Sequence, residues 1–290
     1  MLLTGISILH TLASATVSDD ATPQRVSDGH YEVWSALTDR GYAVTNDQSI
    51  GLPEKFRPNF LGTYFNDWTL RHDEGDWPAD RKRARDVIRY QWHDGCLSLR
   101  RHDTITITDR ADIPGKREHA RVELLDDPQA QDLIRALLQL VAPERRRADG
   151  TFGVNLFRTF TNVVTKPHHD DEEFIIIYVL DRIGEGAETY FYAPADVTDG
   201  GEIKADPVLR QQLNPGDILI FEDKLFKHGA TPLIDPPGGT AQRDVLVCTV
   251  DDRATYLERQ ADLPIKNLTL PVRLAAKFAT AVAAGAHVSN

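Results

Sequence analysis

Apolar residues at helical spacing predict two helices in the first half of the chain. Between residues 24 and 38 they recur every three or four positions, and Gly41 follows where such a helix is expected to end. A second amphipathic pattern runs from Asp132 to Val141 and stops before Pro143, because proline cannot continue a helix. We expect this second helix to pack on the outside of the β-structure that the rest of the chain predicts.

Alternating and continuous apolar runs predict a larger number of strands. They cover residues 42–45, 90–92, 96–100, 152–163, 174–180, 217–221 and 245–250. His93-Asp94-Gly95 lies between the second and third of these, as a hairpin turn would. Residues 50–80 are rich in Pro, Gly and Asp, and we expect irregular surface structure or a lid there.

A basic run from Arg81 to Arg89 stands out in an otherwise acidic chain. In a helix, Arg81, Arg85 and Arg89 would share a face, whereas in a strand Arg81, Arg83 and Arg85 would do so. The pattern leaves both forms open. It also leaves open whether these arginines form a solvated face paired with nearby acids or bind the carboxylate of a ligand.

Composition narrows the class of protein. With 290 residues, of which 41% are hydrophobic, the chain can bury a sizeable core. A net charge of -11 argues against nucleic-acid and anionic-membrane partners, which require a concentrated basic surface. The two cysteines, Cys96 and Cys248, are far apart and match no zinc pattern, so we expect a reduced, cytoplasmic protein. Residues 1–15 are apolar but contain no Lys or Arg, so we interpret them as part of the fold rather than a leader.

Candidate metal ligands lie on either side of the apolar run 174–180. His168 and Asp170 are two residues apart, so on extended backbone both side chains point to one side. His228, which follows the predicted strand 217–221, can supply a third ligand. Two histidines and one carboxylate form the facial triad of non-haem Fe(II) oxygenases, which leaves coordination positions open. His169 and Asp171 offer the same spacing one residue later, so the register is ambiguous.

Arg243 opens the predicted strand 245–250 and is the candidate ligand for an anion. A buried guanidinium is very costly without an anionic partner, and its planar fork fits a carboxylate. The distal carboxylate of 2-oxoglutarate would provide that partner while the keto-acid end chelates the iron.

These motifs together resemble one enzyme family. His168-x-Asp170, Asp217-Ile218-Leu219, His228-Gly229-Ala230-Thr231-Pro232 and Arg243-Asp244-Val245-Leu246-Val247 are similar to motifs of Fe(II)/2-oxoglutarate dioxygenases of the L-isoleucine hydroxylase type. That family hydroxylates free amino acids and is related to lysine hydroxylases and halogenases. The retained Asp170 argues against a halogenase. The resemblance favours the His168/Asp170 register, since it places Phe174 at the family's first strand aromatic.

The resemblance also implies roles for further residues. Thr231 would assist Arg243 in binding 2-oxoglutarate, while Arg158 and Arg83 would bind the substrate. The chain departs from the family at Asp171, where a glycine is usual, and at His169, where an arginine is usual. Asp171 begins the acidic cluster 171–173, which favours a cationic group nearby. We therefore expect a basic amino acid as substrate, lysine or arginine.

The implied architecture is a double-stranded β-helix, a jelly-roll barrel of the cupin type, with flanking helices. We expect one domain over residues 1–290, in which residues 1–150 supply supporting helices, strands and lid elements. Residues 151–251 would form the catalytic barrel core, and residues 252–290 a C-terminal helical extension. A helix predicted at Leu270–Ala284 would cap the fold or form a homodimer contact.

The implied cofactors are Fe(II), 2-oxoglutarate and O2. 2-Oxoglutarate would be oxidatively decarboxylated to succinate and CO2 while an unactivated C–H bond of the substrate is hydroxylated. Three alternatives stay open at this point: the same chemistry on a carrier-tethered or peptidyl residue, the same chemistry on an aliphatic amino acid, and a metal-binding sensor of the cupin type. Arg243 argues against the sensor, which has no evident need for a carboxylate clamp.

Overall fold

The computed structural model describes residues 26–71, 81–102, 121–160, 166–198 and 200–252. The predicted C-terminal helix and residues 1–15 lie outside these ranges. The helices are α1 (Asp28–Arg40), α2 (Phe56–Tyr64) and α3 (Pro128–Gln139). The strands are β1 (Tyr42–Asn46), β2 (Arg81–His93), β3 (Cys96–Arg101), β4 (Asp149–Thr159), β5 (Phe174–Ile183), β6 (Glu185–Gly186), β7 (Thr189–Tyr192), β8 (Leu209–Gln211), β9 (Asp217–Glu222), β10 (Lys227–Ala230), β11 (Leu233–Ile234) and β12 (Gln242–Asp252).

The strands form two facing antiparallel sheets and a small two-stranded ribbon. The major sheet has the order β1-β9-β5-β12-β4-β2-β3, the minor sheet the order β10-β7-β8, and β11 pairs with β6. Neighbours in the major sheet are mostly distant in sequence, as in a jelly roll. The predicted jelly-roll fold, mainly β with flanking helices, is confirmed. Within the described ranges, no helix is long and apolar enough to span a membrane.

The two faces of the major sheet bury different cores because successive side chains of a strand point to opposite faces. On the outer face, residues such as Ile176 of β5 and Leu246 of β12 pack against the three helices. On the inner face, Ile177 and Val245 pack with Phe191 of the minor sheet. We refer to these as the helix face and the inner face. β5 is a continuous apolar run because its side chains are buried on both faces of the sheet.

The helices match the predictions in two cases of three. α1 begins after Ser27 and ends at Gly41, whose φ of 76° is the left-handed conformation that favours glycine. α3 begins after its N-cap residue Asp127, whose side chain accepts a hydrogen bond from the Gln129 amide. The prediction of irregular structure over 50–80 is wrong for residues 56–64, which form α2.

The major sheet extends beyond residues 151–251. β2 pairs with β4 from Arg81↔Thr159 to Gln91↔Asp149, and β1 pairs with β9, so strands before residue 150 are part of the major sheet. The basic run is therefore a strand rather than a helix. The predicted hairpin at His93–Cys96 is confirmed and joins β2 to β3.

Candidate metal centre

Two of the candidate ligands are brought together by backbone pairing. His168 lies in the loop before β5, and His228 lies in β10 of the minor sheet. The His168 amide donates to the His228 carbonyl at 3.1 Å, and the His228 amide donates to the His168 carbonyl at 2.9 Å. This isolated antiparallel bridge fixes both Cα positions. Their imidazole rings consequently lie with centroids 4.5 Å apart.

Asp170 completes a convergent group. Its Oδ1 lies 3.4 Å from His168 Nε2, and its Oδ2 lies 3.4 Å from His228 Nε2. One ligand atom from each residue falls within 4.8 Å of the others, and in the described part of the chain this is the one such group of three or more. Two imidazoles and a carboxylate at this spacing are the donors of a facial triad. The geometry fits a single divalent cation that the protein binds from one side.

Oxygen atoms beside the two Nδ1 nitrogens direct both Nε2 atoms toward this point. His168 Nδ1 lies 2.9 Å from the Lys166 carbonyl, to which it can only donate. His228 Nδ1 faces Oδ1 of Asp223 at 3.4 Å. A proton on each Nδ1 leaves the Nε2 lone pairs available for a metal, an arrangement typical of metal-binding histidines.

Electrostatics favour a cation at the same point. Burial alone would raise the pKa of Asp170, but hydrogen bonds with His168 and His228 lower it well below its usual range. Burial alone would lower the pKa of His228, but the nearby carboxylates of Asp170 and Asp223 raise it to about 9. The carboxylates of Asp170 and Asp223 therefore stabilise positive charge on the group that lies between them. A metal ion would replace the proton that His228 otherwise binds there.

The alternative register is not assembled. His169 points to the other side of the loop, where its Nδ1 lies 2.6 Å from the Asp223 carbonyl. Asp171 is exposed and has a φ of 63°. This left-handed conformation is the one that glycine adopts without strain. The structure thus brings together His168, Asp170 and His228, but not His169 and Asp171.

Arg243 is buried with unsatisfied donors. Its side chain lies on the inner face of β12, and the residue is 6% exposed. Nε and Nη2 are buried and have no hydrogen-bond partner among the described residues. Burial, followed by the charge of Arg182, lowers the pKa of Arg243 to about 10. Such a guanidinium is costly without an anion, so the observed environment fits a bound carboxylate.

Thr231 has a structural contact. Its hydroxyl accepts a hydrogen bond from the Glu188 amide at 2.9 Å, and its own amide donates to the Glu188 carbonyl at 3.0 Å. These bonds connect the chain after β10 to the start of β7. The hydroxyl proton remains available for donation to a cosubstrate.

Gly229 of the same motif is explained by packing. A Cβ at this position would lie 2.5 Å from Tyr190 Oη and 2.7 Å from two ring carbons. The tyrosine ring therefore covers the backbone next to His228, and only glycine leaves room for it. This accounts for the glycine of the His-Gly-x-Thr-Pro motif.

Arg158 forms an ion pair with Asp244 and is not one of the three convergent residues. It lies on the helix face of β4, where Nε and Nη2 donate to the two carboxylate oxygens of Asp244 at 2.8 and 2.6 Å. Its guanidinium also lies over the Phe65 ring at the end of α2. Strand alternation therefore places Arg158 on the sheet face opposite to the inner face, which argues against the expected substrate contact.

Arg83 lies on the inner face of the major sheet. Opposite it on β4 is Phe157, which packs into the inner core. Arg81 and Arg85 share this face by alternation, and Arg85 lies close to Gly153 of β4. Arg83 is 7% exposed. The structure thus places it on the side of the sheet that carries the candidate centre.

Asp223 is a residue of the site that the sequence did not reveal. It is fully buried in the 3-10 turn Asp223–Leu225, and its carboxylate contacts both the His-x-Asp loop and His228. In the sequence, Asp223 stands between the apolar run 217–221 and the candidate ligand His228, which is the one feature that could have pointed to it.

A protein-family model described as 2OG-Fe dioxygenase matches residues 74–249, more than half of the chain. No curated protein sequence gives a significant match. The matched segment begins just before β2 and contains all three candidate ligands and Arg243.

Three solved structures illustrate the similarity of fold. A bsmA homologue from Methylobium petroleophilum PM1 is 20% identical, with a TM-score of 0.60 over 78% of this chain and 94% of that one. IDO from Bacillus thuringiensis is 15% identical, with a TM-score of 0.57 over 79% and 97%. The Fe(II)/α-ketoglutarate-dependent dioxygenase TqaL is 15% identical, with a TM-score of 0.58 over 78% and 90%. At these identities the likeness establishes the fold.

Proposed function

The chain belongs to the 2OG-Fe dioxygenase family, and on that premise we propose that it hydroxylates a free amino acid. The family's cofactors are Fe(II), 2-oxoglutarate and O2. When bound, the iron couples the decarboxylation of 2-oxoglutarate by O2 to the hydroxylation of a C–H bond. The convergence of His168, Asp170 and His228 on one point is the observation that carries the proposal.

We assign the metal-binding role to these three residues. Each offers one donor atom, and the oxygen atoms beside the two Nδ1 nitrogens favour the tautomer that a metal requires. Three donors on one side leave the remaining positions to cosubstrate and O2. The chain's own task is to position these ligands.

We assign the distal carboxylate of 2-oxoglutarate to Arg243. The buried Nε and Nη2 can form a two-pronged hydrogen bond with a carboxylate, which would supply the missing acceptors. Burial also excludes water, so the contact would be stronger than on the surface. Thr231 would donate a hydrogen bond from its hydroxyl group to the same cosubstrate.

For the substrate, we propose a basic amino acid, with lysine first and arginine or ornithine next. Arg83, on the inner face, would bind the α-carboxylate. Asp171, one residue after the metal ligand Asp170, would contact a side-chain amine at the exposed rim of the site. An exposed pair of this kind contributes roughly 0–1 kcal/mol, so Asp171 would tune specificity rather than determine it alone.

A substrate screen tests this proposal. The protein is loaded with Fe(II) and 2-oxoglutarate without oxygen, each amino acid is added separately, and air is then admitted. We expect succinate and a product one oxygen atom heavier, with lysine consumed fastest. Asp171→Asn should lower the preference for lysine over leucine by up to about fivefold, because only a surface-like ion pair is lost. Turnover of leucine or isoleucine in preference to lysine, or of a peptide alone, would refute the basic-substrate assignment.

A further inference from the structure

A single buried carboxylate connects the two halves of the candidate metal centre. Asp223 Oδ2 accepts hydrogen bonds from the Asp170 amide at 2.9 Å and the Glu172 amide at 3.1 Å. These two amides lie 53 and 51 residues away in sequence, in the loop that carries the first two ligands. Asp223 therefore fixes the backbone on both sides of Asp171, the residue with the left-handed conformation.

The other oxygen of the same carboxylate faces the third ligand. Asp223 Oδ1 lies 3.4 Å from His228 Nδ1. Both atoms are buried, and neither has a hydrogen-bond partner within the described ranges. A buried unpaired carboxylate oxygen and a buried unpaired ring nitrogen are each costly, and a proton on Nδ1 shared with Oδ1 would satisfy both. That proton would leave Nε2 free toward Asp170.

We propose that Asp223 is the positioning residue of the metal centre, which it prepares before iron binds. This inference rests on the proposed function, since it assigns a task within the same site. Asp223 fixes the ring orientation and tautomer of His228 and holds the loop of Asp170 at the correct distance from it. It does so from the turn between β9 and β10, without itself being a ligand.

The variant Asp223→Asn distinguishes the positioning role from a role in packing alone. Asparagine has nearly the same size, and its carbonyl oxygen can still accept from the Asp170 and Glu172 amides. Its NH2 group would then face His228 Nδ1 and donate to it, which requires the proton to move to Nε2. A protonated Nε2 cannot bind a metal, so the variant favours the wrong tautomer.

Mn(II) binding without 2-oxoglutarate or substrate is the first readout, measured by the electron paramagnetic resonance of free Mn(II). We expect Asp223→Asn to weaken Mn(II) affinity roughly 10- to 100-fold, the typical effect of losing such a partner. The thermal unfolding midpoint without metal should change little. Glu222→Gln is the matched control, because the adjacent Glu222 pairs with Arg145 at 2.6 Å instead. This control should bind Mn(II) as the wild type does.

A second readout needs no variant at Asp223. In wild-type protein loaded with Zn(II) and labelled with 15N-histidine, we expect the His228 ring to carry its proton on Nδ1 and the metal on Nε2. The His228→Ala spectrum assigns the signal. Metal on Nδ1, or unchanged Mn(II) affinity in folded Asp223→Asn, would overturn the positioning role alone. Failure of the wild type to bind any divalent metal would instead overturn the proposed function.

Discussion

Arg158 and Asp244 form a two-pronged ion pair across β4 and β12, on the helix face of the major sheet. The two hydrogen bonds measure 2.8 and 2.6 Å, and Asp244 is 1% exposed. Removing one partner leaves a buried charge, so we expect Arg158→Met to lower the free energy of unfolding by about 3–5 kcal/mol. The double variant Arg158→Met, Asp244→Leu should be much less destabilised, because both charges are gone. Urea denaturation measures the difference.

Kinetics distinguish this structural role from substrate binding. In the folded Arg158→Met protein, the KM values for 2-oxoglutarate and the amino acid should match the wild type. A higher KM for the amino acid with unchanged stability would restore Arg158 to the substrate site.

The buried guanidinium of Arg243 predicts a large effect on cosubstrate binding. Arg243→Ala should raise the dissociation constant of 2-oxoglutarate roughly 10- to 100-fold, since hydrogen bonds to charged groups contribute roughly 1.5–3 kcal/mol. Arg243→Lys should have a smaller effect, because it retains the charge but loses the fork. Arg210→Ala is the control: Arg210 pairs with Glu188 on the exposed surface. Anaerobic calorimetry gives the constants, and equal effects of Ala and Lys would argue for a purely structural arginine.

Tyr190 covers Gly229, the residue after the ligand His228. Gly229→Ala should weaken Mn(II) binding and lower the unfolding midpoint, because the added Cβ would lie 2.5 Å from Tyr190 Oη and must displace β10 or the ring. The double variant Gly229→Ala, Tyr190→Ala removes the obstruction and should recover metal affinity. If the double variant binds Mn(II) no better than Gly229→Ala alone, steric contact is not the reason for the glycine.

The backbone at Asp171 predicts an order of stability. With φ at 63°, a β-branched residue costs more than Asp, and glycine costs least sterically. Asp171→Gly should therefore be as stable as the wild type, while Asp171→Val should lose about 1–2 kcal/mol. Chemical denaturation in the absence of metal measures both. Equal stability of the valine variant and the wild type would show that the loop adopts another conformation in solution.

Period-two patterns record burial directly, and they predicted β1, β3, β4, β5, β9 and β12. The sequence left open whether the basic run of β2 is a helix or a strand. It also could not say which face of β4 lies toward the metal ligands, and the role expected for Arg158 depended on that face. Arg158 shares a strand face with Val154 and Leu156, which pack against the helices. That fact identifies the face only once the positions of the helices are known.

Two other elements depended on tertiary structure. α2 contains Pro58 and Gly62, which have low helix propensity, and it is stabilised by burial of Phe56, Phe60 and Tyr64 along one side. Asp223 acts on a loop more than 50 residues away. No local pattern distinguishes such an acid from a solvated turn residue.

We propose that His168, Asp170 and His228 bind the iron of this dioxygenase. The visible charge-transfer absorption of Fe(II) chelated by 2-oxoglutarate, recorded without oxygen for the wild type, His228→Ala and His169→Ala, tests this assignment. We expect the band in the wild type and in His169→Ala, and its loss in folded His228→Ala. A band that persists in His228→Ala, or that disappears only in His169→Ala, would contradict the assignment.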